Sequence, residues 1–281
     1  MRLPRMTIER WLITLALPIV TVAGALRIRH GIELRHQDAC VTNLKYIGLA
    51  LHNYHLAYGR FPSGSLGGPS LPPDRRLGWP VTIFVFITQG LQLVYDPLES
   101  WDSPPNVRPQ FMHTSTDGEP PPFLTLAKDS NGYLRCPSDR SRPKADVTWP
   151  TSYIGVAGLG RDAAALPSGH PRAGVFGDDR STRLDEIKDG ASTTMMLVET
   201  TTAVGPWNAG GPASVRGLDP ARKPYIGPGR QFGGAHHGKA NVMFADGSVR
   251  FISATINTAV FRAMTTIAGG EDPNQARSHE R

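Results

Sequence analysis

The fold is decided between residues 40 and 58, which read CVTNLKYIGLALHNYHLAY. Apolar side chains recur there at intervals of three and four residues, which places them on one side of an α-helix. This stripe consists of Cys40, Leu44, Ile47, Leu51, Tyr54 and Tyr58. His52 and His55 lie at its polar border, where we expect solvated side chains rather than metal ligands. We therefore predict an amphipathic helix that packs on another layer of the protein.

A more apolar segment precedes this helix. The sixteen residues from Trp11 to Leu26 carry no charge, and a helix over them spans about 24 Å, short of the roughly 30 Å core of a bilayer unless flanking residues contribute. The segment is a cleavable secretory signal that ends near Ala23 and Ala25, or it is retained as part of one long helix, or it is a buried core helix of a cytosolic domain. We favour export and leave the form of anchoring open.

The composition indicates one loop-rich globular domain. The chain has 281 residues with 30 glycines and 25 prolines, which argues against a helical bundle, and its hydrophobic share of 40% is sufficient for one core. The net charge of +6 is spread without a run of like charges, so nucleic acid is not an expected partner. We divide the chain into an anchor or signal segment (1–30), a globular domain (31–270) and a polar, disordered tail (271–281).

The clearest β-structure is the hairpin in ANVMFADGSVRFI, residues 240–252. Asp-Gly between apolar runs favours a two-residue type I′ turn. That turn pairs Phe244 with Val249 and Val242 with Phe251, so these four side chains face the core. Met243 and Arg250 then point away.

Other segments have simpler patterns. Residues 194–199 indicate a strand after the turn signal Asp189-Gly190, and Val81 to Ile87 fits either a buried strand or a short helix. Pro97 to Pro122 is expected to be a long surface loop, and the glycines at 155, 158 and 160 a glycine-rich turn.

Several blocks resemble a large bacterial family of prepilin-like, or pseudopilin-like, proteins. That family is recorded as a domain of unknown function with a C-terminal signature of His, nine residues and Asp-Gly, which His236, Asp246 and Gly247 match here. The first block is CVTNLKYIGLALHNYHLAYGRFPSG, from Cys40, and the likeness extends to about Glu271. Further blocks lie at 101–104, 136–139, 151–155, 184–199 and 236–253.

The resemblance implies an α+β, pilin-like fold, in which a long N-terminal helix packs on an antiparallel β-sheet with long loops. Cys40 and Cys136 both lie in matching blocks, and an exported chain permits a disulfide between them. The chain-entropy model assigns such a link about 4.7 kcal/mol of stabilisation, which strain would lower. The alternative is two buried, inert thiols.

The candidate site residues are few. His236 either hydrogen-bonds a backbone carbonyl before the hairpin or ligates a metal together with His237 and Asp246, and we favour the structural role because this ligand set is too small to name a metal. Glu199 lies at the end of an apolar strand, but the sequence shows no second carboxylate at a spacing that identifies a partner for acid–base chemistry. We therefore predict no catalytic residues and no cofactor.

Two functions follow as expectations. The first is a non-enzymatic, membrane-tethered, pseudopilin-like protein, single-pass in the inner membrane through Trp11 to Leu26, with its globular domain in the periplasm or at the cell surface. Its partners would be other pilin-like proteins of a type II secretion or type IV pilus-like assembly. The alternative is an exported ligand-binding module that uses the loop around His236 and Asp246.

Overall fold

A single long helix and a five-stranded sheet organise the protein. The computed structural model describes residues 8–88, 93–107, 110–111, 132–139 and 150–270. Helix α1, Ile8–Tyr58, has 51 residues and is about 76 Å long. In the part of the chain that the structure describes, no helix combines the length and the hydropathy needed to cross a bilayer. The predicted tail 271–281 and much of the predicted loop between Pro97 and Pro122 lie outside the described residues.

The remaining elements are short. Among the described residues, the α-helices after α1 are α2 Trp79–Ile87, α3 Pro104–Val107 and α4 Thr258–Ala263. Two small pairs join β1 Ser65–Leu66 to β2 Leu77–Gly78 and β3 Leu93–Val94 to β4 Gln110–Phe111. The main sheet contains β5 Tyr153–Leu159, β6 Met195–Glu199, β7 Val215–Leu218, β8 Lys239–Phe244 and β9 Val249–Ser253.

The main sheet is mixed rather than antiparallel. Its strand order is β7-β5-β6-β8-β9, and β5 pairs with β7 in parallel while its pairing with β6 is antiparallel. After β6 the chain crosses from one side of β5 to the other through residues 200–214, so β7 runs in the same direction as β5. The α+β class and the long N-terminal helix are confirmed, whereas the purely antiparallel sheet is wrong.

The sheet lies between two apolar cores. On one face, Leu44, Ile47 and Leu51 of α1 are fully buried in a cluster that includes Leu197 and Met243. The opposite face is covered by α4 and the loop before β8, in a cluster whose members include Val198, Val242, Phe244, Phe232 and Phe261. The predicted stripe of α1 is thus confirmed as far as Leu51, and Tyr58 is exposed.

The hairpin differs from its prediction by one residue. Val242 pairs with Arg250 and Met243 with Val249, and the backbone N–H of Gly247 donates to the carbonyl of Phe244 at 2.9 Å. Gly247 has a φ of +82°, and Asp246 is not in the left-handed region. A three-residue connection with glycine in the left-handed position therefore replaces the type I′ turn. Met243 does lie on the face of β8 opposite Val242 and Phe244, but it is buried there because α1 covers that face.

Two further interpretations are settled by packing. Val81 to Ile87 belongs to helix α2, which begins with Trp79-Pro80, and Pro80 in the first turn suits a helix start. The predicted glycine-rich turn is wrong, because Gly155 and Gly158 lie within β5. A Cβ at Gly155 would come within 2.7 Å of the Phe176 ring, and one at Gly158 within 2.0 Å of the Arg172 carbonyl oxygen. These glycines permit close approach of the neighbouring loop.

Candidate functional site

Four buried side chains with metal-ligating atoms meet where α1 passes the end of the central strand of the sheet. They are Cys40 of α1, Cys136 of the segment 132–139, Glu199 at the end of β6 and His236 in the loop before β8. One ligand atom from each residue lies within 4.8 Å of the others. Among the described residues, this is the group of three or more His, Cys, Asp or Glu side chains that is arranged to hold a metal ion. We refer to these four residues as the buried cluster.

The imidazole of His236 is at the centre of the buried cluster. Its Nδ1 lies 2.6 Å from Oε1 of Glu33, a residue of α1 two turns before Cys40. Its Nε2 lies 3.4 Å from Sγ of Cys136 and 3.3 Å from Oε1 of Glu199. The ring is therefore held on both nitrogens by side chains that come from three different parts of the chain.

Glu199 is positioned by the sheet itself. It pairs with Tyr153 of β5, and its Oε2 accepts hydrogen bonds from the backbone N–H and the side-chain amide of Asn241, both at 3.2 Å. Its Oε1 is buried and accepts no hydrogen bond, although it is near His236. An unpaired carboxylate oxygen in a dry interior is costly. It has a free lone pair directed at the buried cluster.

The loop that carries His236 is shaped by two glycines. Gly233 and Gly234 have φ values of +73° and +100°, a conformation that favours glycine. The backbone N–H of Gly233 donates to the carbonyl of Glu199 at 2.6 Å. This bond attaches the loop to the end of β6, so His236 and Glu199 are brought together by the backbone.

The segment of Cys136 is held between α1 and β5. The side-chain amide of Asn43, on α1, donates to the carbonyl oxygens of Gly132 and Arg135 at 2.9 Å each. On the other side, the backbone N–H of Ser152 donates to the carbonyl of Leu134 at 2.8 Å. The sulfur of Cys136 is thereby placed next to α1 and His236.

A polar network surrounds Glu33 at the border of the buried cluster. The hydroxyl of Ser138 donates to Oε2 of Glu33 at 3.0 Å, and the amide of Gln37 donates to Oε1 at 3.3 Å. The ammonium of Lys239 in turn donates to Oε1 of Gln37 at 2.9 Å. These bonds tie α1 to the segment of Cys136 and to β8.

The electrostatics of the buried cluster favour a charged imidazole facing carboxylates when no metal is present. Burial lowers the pKa of His236, but its contacts with Cys136, Glu199 and Glu33 outweigh burial and bring the pKa to well above the ordinary value. Burial raises the pKa of Glu199, and its contacts with His236 more than offset this and lower it. The contact with Cys40 and burial raise the pKa of the Cys136 thiol.

The order Cys136, His236, Glu33 resembles that of a nucleophile, a base and an orienting acid. Both the sulfur-bearing residue and the imidazole are buried, however, and the pKa of the thiol is raised rather than lowered. A nucleophilic cysteine needs an exposed, stabilised thiolate. Cys136 thus differs from a nucleophilic cysteine both in its burial and in the direction of its pKa shift.

The structure separates the residues of the predicted metal set. His236 is in the buried cluster, whereas His237 is exposed and Asp246 is exposed in the hairpin turn. His236 and Asp246 lie at opposite ends of β8, a strand of six residues that spans about 20 Å. The His and the Asp-Gly of the signature therefore belong to different places, one to the buried cluster and the other to a turn beside α1.

The two cysteines do come together. Cys40 and Cys136 are both buried, free thiols, and their sulfurs lie within 4.8 Å of each other. The disulfide between them stays a prediction. His52 and His55, which we expected to be solvated, are both partly buried, and their rings lie 5.4 Å and 4.8 Å from the ring of Phe61.

Sequence reasoning missed Glu33 and the combination of both cysteines with His236 and Glu199. The missed signal for Glu33 is the apolar stripe, because Glu33 and Gln37 continue its spacing of four and three residues backward from Cys40. Polar residues on the buried face of a helix indicate buried partners. The spacing of the four cluster residues along the chain does not indicate that they lie close together in the fold.

The chain belongs to the family described as "Protein of unknown function (DUF1559)". The family model matches residues 37–221 and 208–259, so it includes every residue of the buried cluster. No curated protein and no solved structure shows significant similarity to the chain. The family description assigns no activity, and functional conclusions rest on the structure of this chain.

Proposed function

We propose that this protein is an exported, non-enzymatic, pilin-like protein that α1 tethers to a membrane. The observation that carries the proposal is the asymmetry of α1. We call the described residues from Gln37 to Gly270 the head and residues 21–35 of α1 the stalk. From Gln37 onward α1 contributes buried side chains to the head, but none of the side chains of the stalk is buried. A continuous helix whose residues from 37 onward are packed and whose residues 21–35 are not is typical of a globular head on a helical stalk.

Residues 21–35 of α1 expose apolar side chains as well as charged ones. Val22, Leu26 and Ile28 expose 58%, 60% and 65% of their surface. Each apolar side chain left in water forgoes about 1.5–3 kcal/mol of burial free energy, so these exposed apolar side chains favour a covering partner. The uncharged segment Trp11 to Leu26 lies entirely within α1, whose backbone hydrogen bonds are satisfied internally, as a lipid environment requires. A membrane, or the same helix of pilin-like neighbours, is the partner that fits.

The buried cluster supports a non-enzymatic head. Its nucleophilic and basic groups are enclosed, and they are bonded to each other and to α1. The head therefore acts by contact, and its place outside the cytoplasm follows from the proposed tether. Assembly with other pilin-like proteins in a secretion or pilus-like complex is part of the same proposal.

Fractionation of cells that produce the full chain tests the tether. We expect the protein in the membrane fraction after a carbonate wash, with an intact N-terminal mass and a head that added protease reaches in spheroplasts. The double substitution Val22→Asp/Leu26→Asp should move it to the soluble fraction. Leu56→Asp is the matched control, because Leu56 is an equally apolar residue on α1, 82% exposed, in the half that carries the head. A soluble wild-type protein with an intact N-terminus would contradict the proposal.

An exported ligand-binding module is the second candidate, and one observation favours it. An open groove of about 1070 Å³ lies between α1 and the loops of the head, and it is lined by Arg29, His30, His36, Asp139 and His237 among others. This groove replaces the predicted site around His236 and Asp246, which the strand β8 separates. Loss of the first 25 residues from the native protein would favour this freed module over the tethered form.

A further inference from the structure

We infer that the buried cluster is a binding site for one tetrahedral divalent cation of the zinc type, held by Sγ of Cys40, Sγ of Cys136, Nε2 of His236 and Oε1 of Glu199. The site would fasten α1 to the sheet of the head. The inference is independent of the proposed function, because it concerns how α1 is fixed to the sheet and not whether α1 is attached to a membrane.

The geometry of the ligand atoms fits such an ion. Zinc binds at about 2.3 Å from sulfur and about 2.0–2.2 Å from nitrogen or oxygen, so a tetrahedral site separates its ligand atoms by about 3.3–3.8 Å. Nε2 of His236 lies 3.4 Å from Sγ of Cys136 and 3.3 Å from Oε1 of Glu199. All four atoms lie within 4.8 Å of one another, so only small side-chain movements close the remaining edges.

The lone pairs of Glu199 and His236 also support a cation in the buried cluster. Oε2 of Glu199 is used by Asn241, but Oε1 is buried without a hydrogen bond. A hydrogen bond from Nδ1–H of His236 to Glu33, 2.6 Å away, leaves Nε2 available as a lone-pair donor toward the buried cluster. A cation at the centre would satisfy the unpaired oxygen and the ring nitrogen together.

Glu33 supplies the outer support that a metal-bound histidine needs. A carboxylate that accepts the second N–H of the ring fixes its tautomer and orientation and raises its basicity. Ser138 and Gln37 hold that carboxylate in place. Glu33 is thus a positioning residue and not a ligand.

The donor set selects the class of metal. Two thiolates and an imidazole favour zinc over calcium or magnesium, which take oxygen ligands. Four protein ligands in a closed interior are typical of a structural site and not of a catalytic site, which keeps one position for water. Binding releases to solvent the protons of the two thiols and the Nε2 proton of the charged imidazole, and the bonds to the metal form without any change of oxidation state.

A disulfide between Cys40 and Cys136 would remove two of the four ligands, so the metal site and the disulfide exclude each other. Both sulfurs must be reduced for the proposal to hold. The structure has them as free thiols.

The test uses the full chain, purified with a phosphine reductant and without chelator from cells supplied with zinc. We expect about one zinc per chain by elemental mass spectrometry. Addition of Co²⁺ to the metal-free, reduced protein should produce thiolate-to-cobalt charge-transfer absorption and the intense visible bands of tetrahedral cobalt. Removal of the metal should lower the unfolding midpoint, and zinc should restore it.

Variants assign the ligands. Cys136→Ser and His236→Gln each remove one of the four ligands and should lower the metal content well below one per chain, whereas His237→Gln, a change at the neighbouring exposed histidine, should leave the metal content and the thiolate–cobalt absorption unchanged. Glu33→Gln should retain one metal at saturation with an affinity about 10–100-fold lower, as loss of an outer carboxylate partner predicts. That variant keeps all four ligands, so it remains informative if the ligand variants do not fold.

Two results would overturn the inference. One is a reduced, folded wild-type protein that titrates two free thiols and binds neither Zn²⁺ nor Co²⁺. The other is a native protein whose mass is lower by two hydrogens and whose thiols appear only after reduction, because that shows the Cys40–Cys136 disulfide in place of the metal.

Discussion

Glu33 and His236 are 203 positions apart in the chain, and their side chains meet at 2.6 Å. Glu33 lies on the helical stalk near its entry to the head, and His236 is fixed to the sheet by the loop before β8. Just before this contact, from residue 21 to 32, α1 has no buried side chain. The pair therefore links α1 to the sheet domain close to Gln37, where buried side chains appear on the helix.

Replacement of Glu33 by alanine should lower the free energy of unfolding by about 1–3 kcal/mol in the metal-free protein. The substitution leaves the buried Nδ1–H of His236 without its acceptor, and an unsatisfied buried donor costs about that much. Urea unfolding followed by circular dichroism measures the change. Amide exchange of residues 33–40 should also become faster, because this part of α1 loses its contact with the head.

The control is Asp38→Asn, which also removes one acidic charge from α1. Asp38 is exposed, and substitutions of this kind usually change stability by less than about 0.5 kcal/mol. Equal effects of the two variants would mean that the Glu33–His236 contact contributes nothing specific.

Local sequence patterns were sufficient to predict individual helices and strands, but not to predict how these elements assemble. The three-four spacing of Leu44, Ile47 and Leu51 identified the buried face of α1, because a helix presents such residues on one side. The parallel pairing of β5 with β7 was not predictable, since it depends on the path of residues 200–214 across the sheet. The hairpin register was missed because Asp-Gly occurs in both two-residue and three-residue connections.

The candidate site was predictable only in pieces. Cys40, Cys136 and His236 were each candidate site residues in the sequence. His236, however, was grouped as a possible metal ligand with His237 and Asp246, which are close to it along the chain. A strand separates those neighbours, so residues close along the chain are far apart in space. The true partners come from α1, from a short segment and from β6, and only the tertiary fold brings them together.

A substitution at Gly48 tests how closely α1 approaches the sheet. A Cβ there would lie 2.7 Å from Sδ of Met243, which is fully buried. Overpacking of this kind costs about 1–3 kcal/mol, more than the roughly 0.5–1 kcal/mol that alanine gains over glycine in a helix. We therefore expect Gly48→Ala to destabilise the protein in thermal or urea unfolding.

Gly31→Ala provides the matched comparison, because no atom lies within 4 Å of a Cβ built at Gly31 on the same helix. It should leave the stability of the head unchanged and increase the helicity of the stalk. If Gly48→Ala stabilises the protein as well, the contact between α1 and β8 is looser than the structure describes.

The hairpin register is tested by a pair of truncations in neighbouring strands. In the observed register Met243 is fully buried, whereas Phe251 is 39% exposed and stacks under the ammonium of Lys239 at 4.1 Å. Met243→Ala should therefore cost about 2–5 kcal/mol of unfolding free energy, and Phe251→Ala clearly less. The type I′ register would place Phe251 opposite Val242, on the side of the second core, so a loss for Phe251→Ala as large as that for Met243→Ala would contradict the observed register.

The pH dependence of stability should reveal His52, which faces the hairpin turn from α1. Burial and the nearby His55 lower the pKa of His52, and the contacts with Ala245 and Asp246 offset only part of that shift. The folded protein thus binds the proton less readily than the unfolded chain does. Unfolding takes up a proton once the pH falls below the unfolded value of about 6.5, so the free energy of unfolding decreases on acidification from there.

The window between about pH 5 and 6.5 isolates this effect in the metal-free protein. The pKa of His236 is raised, so its contribution is fully present below the unfolded value and declines only at higher pH. The pKa values of Glu33 and Glu199 are lowered, so their contributions are lost only as the pH falls below about 4.5. Urea unfolding at several pH values should show a decline within the window that His52→Gln removes and His237→Gln retains. A slope that is the same in wild type and His52→Gln would mean that the half-buried ring is protonated as easily in the folded protein as in the unfolded chain.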